Sequence, residues 1–585
     1  MTRQEESGAV VLEFRDVGKT FHDGKRAITA LRQVGFTLRP GGVTGLIGPD
    51  GAGKTTLMRL AAGLLAADAG QITVLGLDAT RDALAVQAAI GYMPQRFGLY
   101  EDLTVQENLD LYADLQGVSR GERAQRYREL MHMTGLAPFT TRLAARLSGG
   151  MKQKLGLACT LVRAPRLLLL DEPTVGVDPV SRRELWRIID RLVKQEGMSV
   201  LLSTAYLDEA ERCGQVVLLH QGNVLQQGAP GALSARMAGR SYQVTAAGIK
   251  PRALQQRLAA APGAIDAVIH GDGVRWVTDH PTPEDVLPPE ARVTAVPPRF
   301  EDSFIALLQT LDGGRRIEGP ASTAAAAGVK DAPAAPVIEV RRAQRRFGDF
   351  YAVRDVSFDV AQGEVFGLLG ANGAGKSTTF RMLCGLLPAS AGSLRVAGVD
   401  LRHAAAAARA RIGYMSQKFS LYGNLTVRQN LKFFSSAYNL TGKPREARIA
   451  WALEEFDLTA QAEAISLDLP LGYKQRLALA CALMHGPGIL FLDEPTSGVD
   501  PLARREFWRR INRLAEAGVT VMVTTHFMEE AEYCDRLAIM AAGEILALGA
   551  PAEIKARAVS AANPAPSMEE AFIALIEAQP AEAAL

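Results

Sequence analysis

Apolar and polar positions along the chain follow two periods. The runs VTGLI (Val43–Ile47) and VFGLL (Val365–Leu369) each lead through a glycine-rich turn into a helical pattern, KTTLMRLAAGLL from Lys54 and KSTTFRMLCGLL from Lys376. Two further runs, LLLLDE (Leu167–Glu172) and ILFLDE (Ile489–Glu494), are continuously apolar and end in two carboxylates. Such runs predict parallel strands buried on both faces, with the acids at the C-terminal edge of a sheet. Between about residues 238 and 299, SYQVTAAG and GVRWVTD read as strands and RALQQRLAAA as a helix. An α/β fold with a small α+β insert is therefore expected.

The pattern is written twice. LIGPDGAGKTT (Leu46–Thr56) returns as LLGANGAGKST (Leu368–Thr378), and IGYMPQ (Ile90–Gln95) as IGYMSQ (Ile412–Gln417). Lys54 and Lys376 lie 322 positions apart, as do Glu172 and Glu494; after one deletion Thr204 aligns with Thr525, 321 apart. FEDSFIALL (Phe300–Leu308) resembles MEEAFIALI (Met568–Ile576), with Phe304 and Phe572 only 268 apart. The first half thus carries about 53 extra residues (321 − 268). The expected organisation is a first domain over 8–237, the insert and a closing helix over 238–312, and an Ala/Pro/Gly-rich linker over 313–336. A second domain over 337–557 and a helical tail over 558–585 complete it.

Composition narrows the class. A chain of 585 residues exceeds what one core supports, and 48% hydrophobic with 22% charged residues excludes a largely disordered chain. The net charge of +2 gives no global attraction to nucleic acid, and no specific nucleic-acid partner is expected. No apolar stretch approaches the ~20 residues that span a bilayer, and Met1–Val10 does not read as a secretory signal. The five cysteines form no CxxC pair, which argues against zinc or a disulfide framework.

The chemistry lies in the repeats. GxxxxGK[ST] between a strand and a helix is a P-loop. Its members here are Gly48, Pro49, Asp50, Gly51, Ala52, Gly53, Lys54, Thr55 and the following Thr56. In the second half they are Gly370, Ala371, Asn372, Gly373, Ala374, Gly375, Lys376, Ser377 and Thr378. Glycines let backbone N–H groups wrap phosphates, and the helix N-terminus favours negative charge. Lys54 and Lys376 reach the β/γ-phosphates, and Thr55 and Ser377 offer a hydroxyl to Mg2+. Asp171 and Asp493 would hold Mg2+ through water; Glu172 and Glu494 would polarise the attacking water. Nucleotide phosphates and Mg2+ are the ligands this pattern expects.

These motifs, with LSGGMKQ, DEPT and a downstream Thr-His, resemble the ATP-binding cassette (ABC) family of P-loop NTPases over about residues 8–237 and 337–557. The resemblance implies two tandem cassettes, each with a helical subdomain, and ATP as the nucleotide. It implies that Gln95 and Gln417 sense Mg2+ and communicate with a membrane partner, and that Phe21 and Phe347 sit where an aromatic stacks on adenine; an ordinary half-buried strand Phe is the alternative. The segments LYEDLTVQENL and LYGNLTVRQNL and the closing AFIAL helices resemble ATPases that serve ABC-2-type, multidrug-like exporters. The implied function is an ATPase powering efflux from the cytoplasmic face of the inner membrane. Its partners would be two separate transmembrane permeases, with room for further export components. The two cassettes would pair within one chain. A soluble tandem-cassette translation factor acting on ribosomes is the alternative; a sugar importer is disfavoured by the same segments.

The halves are not equivalent. The signature Leu147-Ser148-Gly149-Gly150 becomes Leu469-Pro470-Leu471-Gly472, and TTHFMEEAE with His526 becomes STAYLDEAE with Ala205. Proline brings neither a hydroxyl nor an N–H, and alanine cannot hydrogen-bond a γ-phosphate. Family cassettes pair head to tail. One composite site would then join Lys54, Gln95, Asp171, Glu172 and Ala205 to the Pro-Leu signature. The other would join Lys376, Gln417, Asp493, Glu494 and His526 to Ser148, Gly149 and Gly150. Both departures fall in the first, so the expectation is one competent and one degenerate site.

Overall fold

The structure is a computed structural model and describes residues 10–23, 26–95, 98–280, 287–288, 290–311, 336–561 and 563–578. It divides into two compact units, Met1–Ala238 with Pro298–Phe304, and Gly239–Pro297 with Ile305–Leu585.

In the first unit the strand Val43–Ile47 runs parallel to Ser199–Thr204 on one side and Gln215–His220 on the other. Leu167–Asp171 and Ile90–Met93 extend the parallel sheet, and Asn223–Gly228 closes the far edge antiparallel. All five residues of Val43–Ile47 and of Leu167–Asp171 are buried, as the unbroken apolar runs require. A second, antiparallel sheet is ordered Arg26–Leu38, Leu12–Asp23, Ala69–Val74, Leu77–Asp78. Phe14 and Phe36 stack across it at 4.6 Å within the core that also holds Leu57, Leu169 and Leu201.

The helices Val105–Leu115, Arg120–Thr134 and Gly149–Thr160 form the helical part of this unit. Thr104 with Glu107, and Ser119 with Glu122, supply capping boxes that satisfy the first free N–H groups of two of them. Gly135 ends the second with φ 67°, a conformation that favours glycine.

The second unit repeats this plan in one ten-stranded sheet, in which Phe350–Val360 meets Glu544–Gly549 at a single parallel pair, Asp355 with Glu544. The insert forms an antiparallel sheet ordered Ala264–His270, Gly273–Thr278, Ser241–Ala246, Ala291–Ala295. Its helix Pro251–Ala260 covers Trp276, whose ring N–H donates to Leu258 O at 3.1 Å. The sequence reading attached residues 238–312 to the first half. Residues Gly239–Pro297 instead belong with the second unit, because the groups that satisfy the insert lie there. The closing helices are Phe300–Leu311 and Met568–Glu577. The linker expected over 313–336 lies outside the described residues except for its last position.

Candidate nucleotide site

Each P-loop is shaped by close approach. A Cβ on Gly48 would come within 2.3 Å of Leu219 O, and one on Gly370 within 2.5 Å of Met540 O. Gly53 and Gly375 adopt φ 105° and 100° as the last loop residue before the helices Lys54–Ala61 and Lys376–Leu383. Only glycine fits these positions at low strain. Lys54 and Lys376 are buried; their Nζ atoms donate to the loop carbonyls of Gly48 and Gly370 at 2.8 and 2.7 Å. A second carbonyl, of Pro49 or Ala371, completes each ammonium's hold inside its own loop.

The acids stand beside the loops. Thr55 Oγ1 donates to Asp171 Oδ1 at 3.3 Å, and Ser203 Oγ to the same oxygen at 2.6 Å. Asp171 Oδ2 is buried without a hydrogen-bond partner. An orphaned carboxylate oxygen 1% exposed, next to a P-loop hydroxyl, is the donor set a Mg2+ ion with its waters would satisfy. In the second half Thr524 Oγ1 donates to Asp493 Oδ1 at 2.7 Å. Burial pushes the Asp493 carboxyl up, the Thr524 hydroxyl opposes this, and the adjacent Glu494 adds to the rise.

Glu172 and Glu494 have φ 51° and 45°. That uncommon backbone turn is fixed by N–H donation to Ser203 O and Thr524 O, both at 3.1 Å. Gln95 Nε2 donates to Glu172 at 2.6 Å and Gln417 Nε2 to Glu494 at 2.7 Å, a contact the sequence did not announce. Glu494 has a further partner, His526 Nδ1 at 3.3 Å from Oε2. Burial alone would raise the Glu494 carboxyl, but the His526 hydrogen bond and charge, with Lys376 and Gln417, hold it below the usual carboxylate range. His526 Nε2 is buried without a partner. The equivalent Ala205 is 2% exposed and presents nothing to Glu172, whose Oε1 lies 3.6 Å from Lys54 Nζ.

The signatures differ as the residues dictate. Ser148 caps the helix Gly149–Thr160, its Oγ accepting from Met151 N at 3.2 Å. A Cβ on Gly150 would meet Ser181 Oγ at 2.4 Å, so the glycine is needed for packing as well. Pro470 precedes the helix Leu471–Ala482 with no side-chain cap. Phe21 and Phe347 are 40% and 47% exposed, with Lys19 Nζ 5.7 Å and the Arg345 guanidinium 4.5 Å from their ring centroids. Rings this open can receive a flat ligand face.

Sequence reasoning missed two sets of residues. Ser203 and Thr524 hold both the aspartate side chain and the following glutamate N–H in their halves. Glu209 and Glu530, each 1% exposed, accept from Thr204 and Thr525 at 2.6 Å and also from Thr174 and Thr496. A hydroxyl repeated at the same place in both halves was the available signal.

A parallel sheet delivering two carboxylates beside a P-loop, twice over, defines a P-loop nucleoside triphosphatase. Comparison with known proteins narrows this class. The ABC transporter family model matches residues 31–175 and 353–497. The "Probable multidrug ABC transporter ATP-binding protein YbhF" of Escherichia coli K12 is 54% identical over 552 residues, 94% of this chain and 95% of the relative. The Nod factor export ATP-binding protein I of Burkholderia orbicola is 44% identical over 37% of this chain and 71% of its own length. The linearmycin resistance ATP-binding protein LnrL of Bacillus subtilis is 38% identical over 38% and 71%. The chain belongs to the ABC transporter family as a tandem ATP-binding protein and is an ATPase. The names of these relatives give no support to the ribosomal alternative.

Proposed function

We propose that the chain is the ATPase subunit of an exporter, closing its two cassettes on ATP and reopening them as products leave. The relatives named for multidrug transport, Nod factor export and linearmycin resistance support export. In this reading the translocation path belongs to separate permeases, two of them, and the chain is peripheral on the cytoplasmic face; among the described residues no helix is long and apolar enough to cross a membrane. The surface that receives them runs beside Gln417. There Tyr422 and Phe433 approach at 4.4 Å and stay 46% and 43% exposed, with Leu467 at 67%. Exposed aromatic clusters of this kind suit an apolar partner helix.

In this account ATP is bound by Lys54 or Lys376 and the loop N–H groups, and Phe21 or Phe347 stacks on the base. Thr55, Gln95 and Asp171, or Ser377, Gln417 and Asp493, would hold Mg2+, which would supply positive charge against the developing phosphate charge. Glu494 accepts a proton from water, and His526 Nε2 faces the γ-phosphate. The single observation carrying the asymmetry is that His526 reaches Glu494 at 3.3 Å while Ala205 reaches nothing. The site with Glu494, His526, Ser148, Gly149 and Gly150 turns over, and the site with Glu172 and Ala205 binds ATP and turns over slowly. Native fractionation of tagged protein tests the exporter reading. Recovery with membranes and two multi-spanning proteins supports it; recovery with ribosomes overturns it.

A further inference from the structure

The insert Gly239–Pro297 is continuous in sequence with the first cassette at both ends, yet it packs on the helix Pro501–Glu516 of the second unit. Asp266, 3% exposed at its side chain, pairs with Arg505 and Arg509, at 3.2 Å for the latter. Asn512 Nδ2 donates to Gln255 Oε1 at 2.9 Å in a buried contact, and Gln256 Nε2 donates to Glu516. Arg252 donates to Asp535 at 2.7 Å, and the Gly271 N–H to Glu532 at 2.9 Å. Ile269 joins the apolar core of the second cassette.

The repeat provides an internal comparison. The counterparts of Asn512, Glu516 and Asp535 in the first cassette are Asp190, Lys194 and Gly214. None could make the same bond: the donor amide, the carboxylate and the acceptor side chain are each replaced. Arg509 is half-buried, whereas its counterpart Arg187 is exposed. The arginines themselves are kept in the first cassette as Arg182, Arg183 and Arg187, and Glu532 as Glu211, so the second cassette's surface is distinguished by Asn512, Glu516 and Asp535.

From that surface Arg504 reaches the segment that bears His526. Arg504, adjacent to Arg505, places its guanidinium 4.3 Å from the Phe527 ring centroid and 3.8 Å from Glu530. Glu530 in turn accepts from Thr496 and Thr525, which flank Glu494 and His526 in sequence. We propose that the insert is a built-in clamp on the second cassette: Asp266 fixes Arg505 and Arg509, the helix Pro501–Glu516 sets Arg504, and Arg504 with Glu530 sets the segment bearing His526. Turnover at Glu494 then depends on the seating of the insert, and Asp266 is a positioning residue. The kinetic half of this inference rests on the reading of Glu494 as the base of a hydrolysing site; the docking half does not.

Two experiments on the full chain test it. In a Gln256→Cys, Glu516→Cys variant a short bis-maleimide should join the two thiols within one chain. The native cysteines are buried and compete poorly. A two-chain product, or no product, overturns the clamp as an intrachain device. In a Glu172→Gln background, Asp266→Asn should lower kcat between roughly 2- and 30-fold, the span of coupling through residues remote from ligand, with the KM for ATP unchanged. Bridging the two introduced cysteines should restore it. A folded Asp266→Asn variant with unchanged kcat, or loss that bridging does not reverse, overturns the positioning role. If the background itself is inactive, the reading of Glu494 fails while the cross-link still decides the clamp.

Discussion

His526→Ala isolates the contribution that distinguishes the two halves. The imidazole is 5% exposed, bonds Glu494 through Nδ1 at 3.3 Å and leaves Nε2 buried and unpartnered. The substitution removes one oriented donor from a low-dielectric site, and comparable deletions slow chemistry by roughly 10²–10³-fold, or ~2.7–4 kcal/mol of transition-state stabilisation. Ground-state binding should change little, because Lys376 and the loop N–H groups remain. Steady-state ATP turnover of the full chain should therefore show a fall in kcat with a nearly constant KM, down to the slow rate of a site that carries alanine at this position. A loss smaller than about threefold, well under that range, refutes the assignment of His526 to the reaction.

Other consequences follow from the same geometry. Because Glu494 is held below the usual carboxylate range, it stays ionised as pH falls, and the acid limb of kcat should lie below that of an ordinary glutamate; in His526→Ala the largest opposing influence, burial, loses its main counterweight and that limb should move up, which a pH–rate profile reads directly. Gly150→Ala forces a Cβ to within 2.4 Å of Ser181 Oγ, whereas Gly472→Ala meets Ala503 Cβ at 3.3 Å. The first should cost about 1–3 kcal/mol and melt earlier than the second in thermal unfolding. Ala205→His alone should not raise ATP turnover, since Pro470 and Leu471 still replace the hydroxyl and glycine of the other signature; a clear gain would show that the switch position by itself limits that site.

Much of the site was legible because its chemistry is local. Strand, glycine turn and helix lie within about a dozen residues from Val43 or Val365, and the continuous apolar runs before Asp171 and Asp493 fix both strand and burial. Aligning the duplicated motifs was enough to show Ala205 where the second half has His526, and Pro470 where the first has Ser148. The repeated hydroxyls Ser203 and Thr524 could be noticed, but not their partners, because their reach to Asp171 and Asp493 crosses between neighbouring parallel strands about thirty residues away in sequence. The seat of the insert was hidden for the same reason on a larger scale: Asp266 and Arg509 are 243 positions apart, and nothing local marks a buried carboxylate as the partner of a distant arginine. The helix and strands of the insert could be read from their periodicity, but not the surface they cover.

The central claim is that one of the two sites does the hydrolysis. ATP turnover of Glu494→Gln and Glu172→Gln, measured side by side in the assembled complex, tests it most directly. The account predicts that Glu494→Gln abolishes nearly all turnover while Glu172→Gln leaves most of it; equal losses in the two variants would contradict it.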